Sequence, residues 1–183
     1  MERKFNHELM TEIKERWSPR AFSDNPVPEE DLMALLEAAR YAPSCSNEQP
    51  WRFVVAADQE KLARMREVLD SGNQKWANHA PVLILVAAEK KFLKKGTDNR
   101  WCCFDAGTAW GYLSLEAQRR GLITHGMGGF SVDKVRETFN ISDRYEVIAV
   151  IAVGYYGNKD QLSEYNRDRE HPGTRKEIEE LLL

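Results

Sequence analysis

The sequence is poor in the features that mark several large classes of protein. Only three of its 183 residues are cysteine, and one of them, Cys45, stands alone. Cys102 and Cys103 are adjacent, a poor arrangement for a local disulfide, and no CxxC occurs. Reduced thiols in a cytoplasmic protein are the expectation. The four histidines, His7, His79, His125 and His171, show no HExxH or comparable ligand spacing, which argues against a metal centre. A net charge of −3 and a pI of about 5.9, with no basic tail or stripe, argue against nucleic acid as a partner. The longest apolar run, Pro81 to Ala88, is far too short to span a bilayer, and Met1 to Leu9 lacks the apolar stretch of a secretory signal. GxSxG, P-loop and GxGxxG motifs are missing, as is a convincing carboxylate pair, so hydrolysis and a resident dinucleotide domain are both poorly supported.

What is present reads as one domain over residues 1–183. The chain is 42% hydrophobic and 30% charged, and one of this length can bury about 70% of the surface its unfolded form exposes. Phe5, Leu9 and Ile13, four apart, predict a short amphipathic helix over Lys4 to Arg16. Pro28-Glu29-Glu30-Asp31 opens a second helix with acids on the positive end of its dipole, and Leu32, Leu35, Leu36 and Ala39 form its apolar face. Trp51 to Ala56 reads as a strand and Lys61 to Leu69 as a helix. Val82 to Ala88 and Glu146 to Gly154 read as central buried strands. Asp105 to Arg119 predicts a long helix closed by Gly121, apolar on nearly every side, with Ala106, Gly107, Ala109, Gly111 and Ala117 small. Such a helix belongs inside a core or in a subunit interface. Gly126 to Gly129 reads as a loop, Val132 to Phe139 as a helix, and the charged tail from Lys159 as carrying at most one short helix near its end. The interleaving predicts an α+β fold, a three-layer sandwich around a mixed sheet.

Three segments exceed what a plain scaffold needs. Arg16-Trp17-Ser18-Pro19-Arg20 sets two guanidiniums around a hydroxyl, a donor set matched to phosphate. Solvated surface arginines are the plain alternative. Ala42 to Trp51 contains Pro43-Ser44-Cys45-Ser46-Asn47 and a second proline, a stiff loop rich in polar groups that also serves as an ordinary helix-to-strand turn. His125 to Phe130 contains three glycines, which let backbone N–H groups approach a flat ligand. A flexible turn is the alternative there.

Together these segments resemble the FMN-dependent nitroreductase family, in its compact subgroup. The likeness covers nearly the whole chain. It rests on Arg16 to Phe22, on Ala42-Pro43-Ser44 through Asn47-Glu48-Gln49-Pro50-Trp51, on Asn73 to Trp76 before Ala80 to Ile84, on Asp105-Ala106-Gly107, on Gly129-Phe130 and on Arg175-Lys176. The resemblance implies an intertwined homodimer with FMN at the interface. It places Arg16, Trp17, Ser18 and Arg20 at the phosphate and the adjacent flavin edge. Pro43, Ser44, Cys45 and Asn47 fall in the loop that reaches the other subunit's flavin. Asn73 and Lys75 lie near the pyrimidine end, Met127, Gly128 and Gly129 have their backbone toward N5, and Arg175 is at the phosphate. A cation such as Lys75 or Arg20 near N1 and the C2 carbonyl favours the two-electron-reduced cofactor. Gly173 stands where many relatives have a second basic residue, which leaves Arg169 or Lys176 to assist Arg175. The implied activity is oxidation of NAD(P)H and reduction of a small electrophile, such as a nitroaromatic or quinone, on one shared face. That sharing implies ping-pong kinetics. A flavin store or sensor without turnover, a specialised flavoenzyme such as a dehalogenase, and an anion-binding domain without flavin remain as alternatives.

Overall fold

The computed structural model describes residues 3–183. Four strands form one sheet in the order β1-β2-β4-β3: β1 Trp51–Ala56, β2 Val82–Glu89, β3 Ile123–Met127 and β4 Tyr145–Gly154. Every pairing is antiparallel. The α+β class stands, but the sheet is not mixed as the sequence suggested. β2 and β4 are the two inner strands, and all eight residues of β2 are buried. Alternation then splits β2 between two cores. Leu83 and Leu85 join Trp76, Met65 and Val135 on one face. Val82, Ile84, Val86 and Ala88 join Leu35, Ala109 and Leu113 on the other. Helices α3 Gln59–Glu67, α4 Ser71–Ala77 and α6 Val132–Phe139 cover the first face, and α2 Glu29–Arg40 and α5 Cys102–Arg119 the second. Three layers result.

Several elements depart from the periodicity reading. The first helix is only α1, Thr11–Glu15, rather than residues 4 to 16. A continuous helix would hold residues 4 and 16 about 18 Å apart. Instead Arg3 folds back, and its Nη1 donates to the carbonyls of Lys14 (3.1 Å) and Arg16 (2.8 Å), capping the C-terminal end of α1. Helix α4 escapes the pattern because it is two turns long and includes Gly72 and Asn73, both weak helix formers. Strand β3 escapes it because it pairs on one side only and carries Gly126, against which the Trp110 indole packs. Residues 123–127 are therefore strand, and only Gly128 and Gly129 remain as loop. The tail holds a short α7, Glu164–Arg167, between two single 3-10 turns, Lys159–Gln161 and Ile178–Leu181, rather than one terminal helix. Among the described residues no helix is long and apolar enough to cross a membrane.

Candidate functional site

The Arg16–Arg20 segment follows α1 directly and is held from the far end of the chain. The buried Glu170 carboxylate accepts from the backbone N–H groups of Arg20 (2.9 and 3.0 Å) and Ala21 (2.9 Å). The tail beyond Glu170 then brings Arg175 to Arg16 and Arg3. Arg3 Nε donates to the Gly173 carbonyl (3.4 Å), and Arg175 Nη1 folds onto the Thr174 carbonyl (2.8 Å). Burial pushes the Arg16 guanidinium below its ordinary pKa, and the charges of Arg3 and Arg175 push it further. Burial, then Arg175, does the same to Arg3. Arg3 Nη2 is buried without an acceptor among the described residues. Among the described residues no carboxylate pairs with Arg3, Arg16, Arg20 or Arg175. Three converging cations, one with a stranded donor, form a cradle for a dianion such as a phosphate. Arg169 lies over the Tyr165 ring, 3.5 Å from its centroid. The sequence reading missed Arg3 and Glu170. Neither belongs to a local motif, and only the fold brings both ends of the chain to residue 16.

Trp76 of α4 ties this cradle to the glycine segment. Its ring lies 4.4 Å from that of His125 in β3 and 6.1 Å from Phe22, and Arg20 lies over it at 6.0 Å. Asn73, one turn earlier on α4, donates from Nδ2 to the Gly129 carbonyl (2.9 Å), and the same carbonyl accepts from the Asp70 N–H (3.0 Å). A Cβ on residue 129 would meet Asn73 Nδ2 at 2.7 Å, so a larger residue there would push the Asn73 side chain off the Gly129 carbonyl. Asn73 thus acts first as the bracket of Gly129. Lys75 is exposed and has no ion-pair partner among the described residues. Met127 ends β3 with its side chain in the core, 3% exposed. Only its backbone can face a ligand, alongside the exposed Gly128.

His125 is a neutral strut rather than a proton carrier. Its Nδ1–H donates to the Pro19 carbonyl (2.9 Å), which fixes the middle of the Arg16–Arg20 segment. Burial pulls its pKa down from 6.5 to about 4, assisted by the charges of Arg20 and Arg16 and opposed by the bonds to Pro19 and Ser18. Because the folded value is the lower one, the stability this supplies is whole above pH 6.5 and is lost as pH falls toward 4. The loss is on the order of 2–3 kcal/mol. His125→Gln should therefore flatten the fall in stability between pH 7 and pH 4.5, measured by denaturant unfolding. At pH 7 its turnover should stay within about tenfold of wild type, below the 10²–10⁴-fold effect of a general acid or base. Equal pH sensitivity of the two proteins would contradict the strut role.

The Pro43–Asn47 segment stands apart. No hydrogen bond or ion pair formed among the described residues joins it to the arginine cradle. It is bound instead to the start of α5, where the buried Asp105 accepts from the Cys45 N–H (3.1 Å). Burial raises the Asp105 pKa, and the Cys45 N–H opposes that. Ser44 Oγ accepts from the Gln49 N–H (2.9 Å). Inside this clamp Ser46, Asn47 and Gln49 are all left-handed, with φ of 54°, 54° and 50°. Left-handed backbone at non-glycine residues costs energy and persists where surrounding structure enforces it, commonly at ligand-binding loops. Pro43, Ser44 and Cys45 line a cavity of about 250 Å³ with Trp101, Phe104 and Asp105.

Helix α5 is buried on one side only. Asp105, Ala106, Ala109, Leu113 and Ala117 face the core. Phe104 (71% exposed) and Tyr112 (44% exposed) face outward, with Gly107 and Gly111 between them. A Cβ on either glycine would meet nothing within 4 Å in the chain. Among the described residues nothing covers this face.

Comparison with known proteins agrees with this architecture. The model of the Nitroreductase family matches residues 13–73 and 68–155. A proposed NADH dehydrogenase/NAD(P)H nitroreductase of Archaeoglobus fulgidus is 31% identical over 172 residues, covering 90% of this chain and 97% of that protein. An NADH dehydrogenase of Thermus thermophilus is 28% identical over 176 residues, covering 79% and 85% of the two chains. A solved structure of an oxidoreductase containing FMN superposes with a TM-score of 0.94 at 37% identity, covering 99% of this chain and 93% of that one. The chain belongs to the nitroreductase family.

Proposed function

We propose that the chain is an FMN-dependent oxidoreductase that takes electrons from NAD(P)H and delivers them to a small electrophilic acceptor, a nitroaromatic or a quinone. The observation that carries this reading is the arginine cradle, with mutually repelling Arg3, Arg16 and Arg175 and the stranded Arg3 Nη2. That donor set fits the phosphate of FMN. FMN, when bound, supplies the two-electron chemistry, and the protein supplies position and electrostatics. Arg3, Arg16 and Arg175 would hold the phosphate, with Ser18 and Trp17 beside it. Arg20 and Lys75 keep their charges free for the ring. The backbone of Met127, Gly128 and Gly129, bracketed by Asn73, presents N–H groups to its edge. His125 holds the Pro19 carbonyl and thereby the spacing between Arg16 and Arg20. The second half of the site, Pro43, Ser44, Cys45 and Asn47, would come from the other subunit of a homodimer. The family's relatives named for NADH and NAD(P)H support the donor.

The phosphate assignment has a direct test. A hydrogen bond to a charged group contributes roughly 1.5–3 kcal/mol. Arg3→Ala, Arg16→Ala and Arg175→Ala should each weaken FMN binding by about tenfold to a hundredfold, read by fluorescence titration of the stripped protein. Unchanged affinity in all three would remove the cradle from the site. The order of events has its own test. If donor and acceptor use one face in turn, double-reciprocal plots at several NAD(P)H concentrations are parallel. Intersecting plots would show both bound together.

A further inference from the structure

A second hollow lies outside the proposed cofactor machinery. It is a cleft of about 630 Å³ beside the N-terminal end of α5, walled by the turn after β2 and the residues leading into β4. Cys102 and Cys103 line it, with their sulfurs 3.9 Å apart. Cys102 is buried and Cys103 exposed, and both thiols are free. Asn99, on the same cleft, is 2% exposed, and its Nδ2 has no acceptor among the described residues. Its Oδ1 is already used, accepting from the Trp101 N–H (3.1 Å).

We infer that Cys102 and Cys103 form a dithiol site for trivalent arsenic presented as its hydroxide. Two sulfurs each about 2.3 Å from one thiophilic atom stand roughly 3.3–3.8 Å apart, close to the spacing observed. A disulfide is the poorer alternative, because adjacent Cα atoms are about 3.8 Å apart while disulfides need roughly 4.4–6.8 Å. The uptake balances without electron transfer. Two As–O bonds break and two As–S bonds form. The two thiol protons leave with the two hydroxides as two waters, and arsenic stays trivalent with one hydroxyl. That remaining oxygen is an acceptor of the kind Asn99 Nδ2 lacks. A divalent cation suits the pair less well. Among the described residues no third His, Cys, Asp or Glu gathers with the pair to complete the ligand set such a cation takes. The hydroxide of arsenic carries its own proton acceptors.

Sodium arsenite added to the native full-length protein tests this, with arsenic counted by native mass spectrometry and free thiols by Ellman's reagent. One arsenic per chain is expected, with protection of Cys103. The adduct should survive an excess of monothiol and be released by a dithiol. Cys103→Ser, a surface change, should weaken binding by about a hundredfold or more, because the second bond is no longer intramolecular. Cys45→Ser should bind as wild type. No adduct in wild type, equal binding by folded Cys103→Ser, or loss of binding in Cys45→Ser would each overturn the site.

Discussion

Replacing Glu170 by alanine should cost the protein both stability and its hold on FMN. The carboxylate is 8% exposed and accepts from two backbone N–H groups in three short bonds. Without it the N–H groups of Arg20 and Ala21 are left unsatisfied, one of them fully buried. Each such loss costs about 1–3 kcal/mol, so the variant should be destabilised by roughly 2–5 kcal/mol. For a chain of this length that lowers Tm by about 5–15 °C. Two effects on FMN then compete. Removing a negative charge from a cationic region would strengthen phosphate binding, whereas releasing the Arg16–Arg20 segment would weaken it. Glu170 is spent on backbone rather than on a guanidinium, so the positional effect should win by tenfold or more. Glu170→Gln keeps one good acceptor and should fall between alanine and wild type in both Tm and FMN affinity. An alanine variant with wild-type Tm, or with tighter FMN binding, would show that the tail does not position the cradle.

Gly107→Leu should dissociate the proposed homodimer while leaving the subunit folded. In the single chain a Cβ at 107 or 111 meets nothing within 4 Å, so the larger side chain does not disturb the subunit's own core. Its effect falls on whatever covers Phe104, Gly107, Gly111 and Tyr112. Overpacking a close contact costs about 1–3 kcal/mol. A symmetric dimer meets that cost twice, which weakens association by roughly 30-fold to 10⁴-fold. Sedimentation analysis reads the mass and circular dichroism the fold. Because Pro43–Asn47 and the cradle do not meet within one chain, the monomer should also lose FMN. A wild-type monomer, or a Gly107→Leu dimer of unchanged affinity, would contradict the interface.

Sequence and structure agree where one strong local signal decides the outcome. Trp51–Ala56 and Val132–Phe139 appear with the boundaries their patterns suggest, and the β-branched runs of β2 and β4 lie at the centre of the sheet. They part where long-range contacts decide. The apolar residues Phe5, Leu9 and Ile13 stay exposed because nothing among the described residues covers them, and Arg3 turns the segment back on itself. A mixed sheet was inferred from alternating helices and strands, but the connection from β2 to β4 through α5, β3 and α6 returns each neighbour antiparallel. The candidate site shows the same division. Arg16, Ser18, Arg20, Asn73 and Gly129 were legible as a motif. Glu170 stood in no motif, and the holding roles of His125 and Trp76, though both stood in quoted segments, were not legible, because all three act across more than 50 residues of sequence. Asp105 left a trace, as an acid among the small apolar residues of α5.

The absorption spectrum of the purified protein, recorded before and after NADH or NADPH is added without oxygen, bears most directly on the proposed chemistry. Stoichiometric FMN absorbance that bleaches on addition of at least one nicotinamide, and returns when a quinone or nitroaromatic follows, is the result expected. A protein that fails to bind FMN when it is supplied, or whose bound FMN neither nucleotide bleaches, would contradict it.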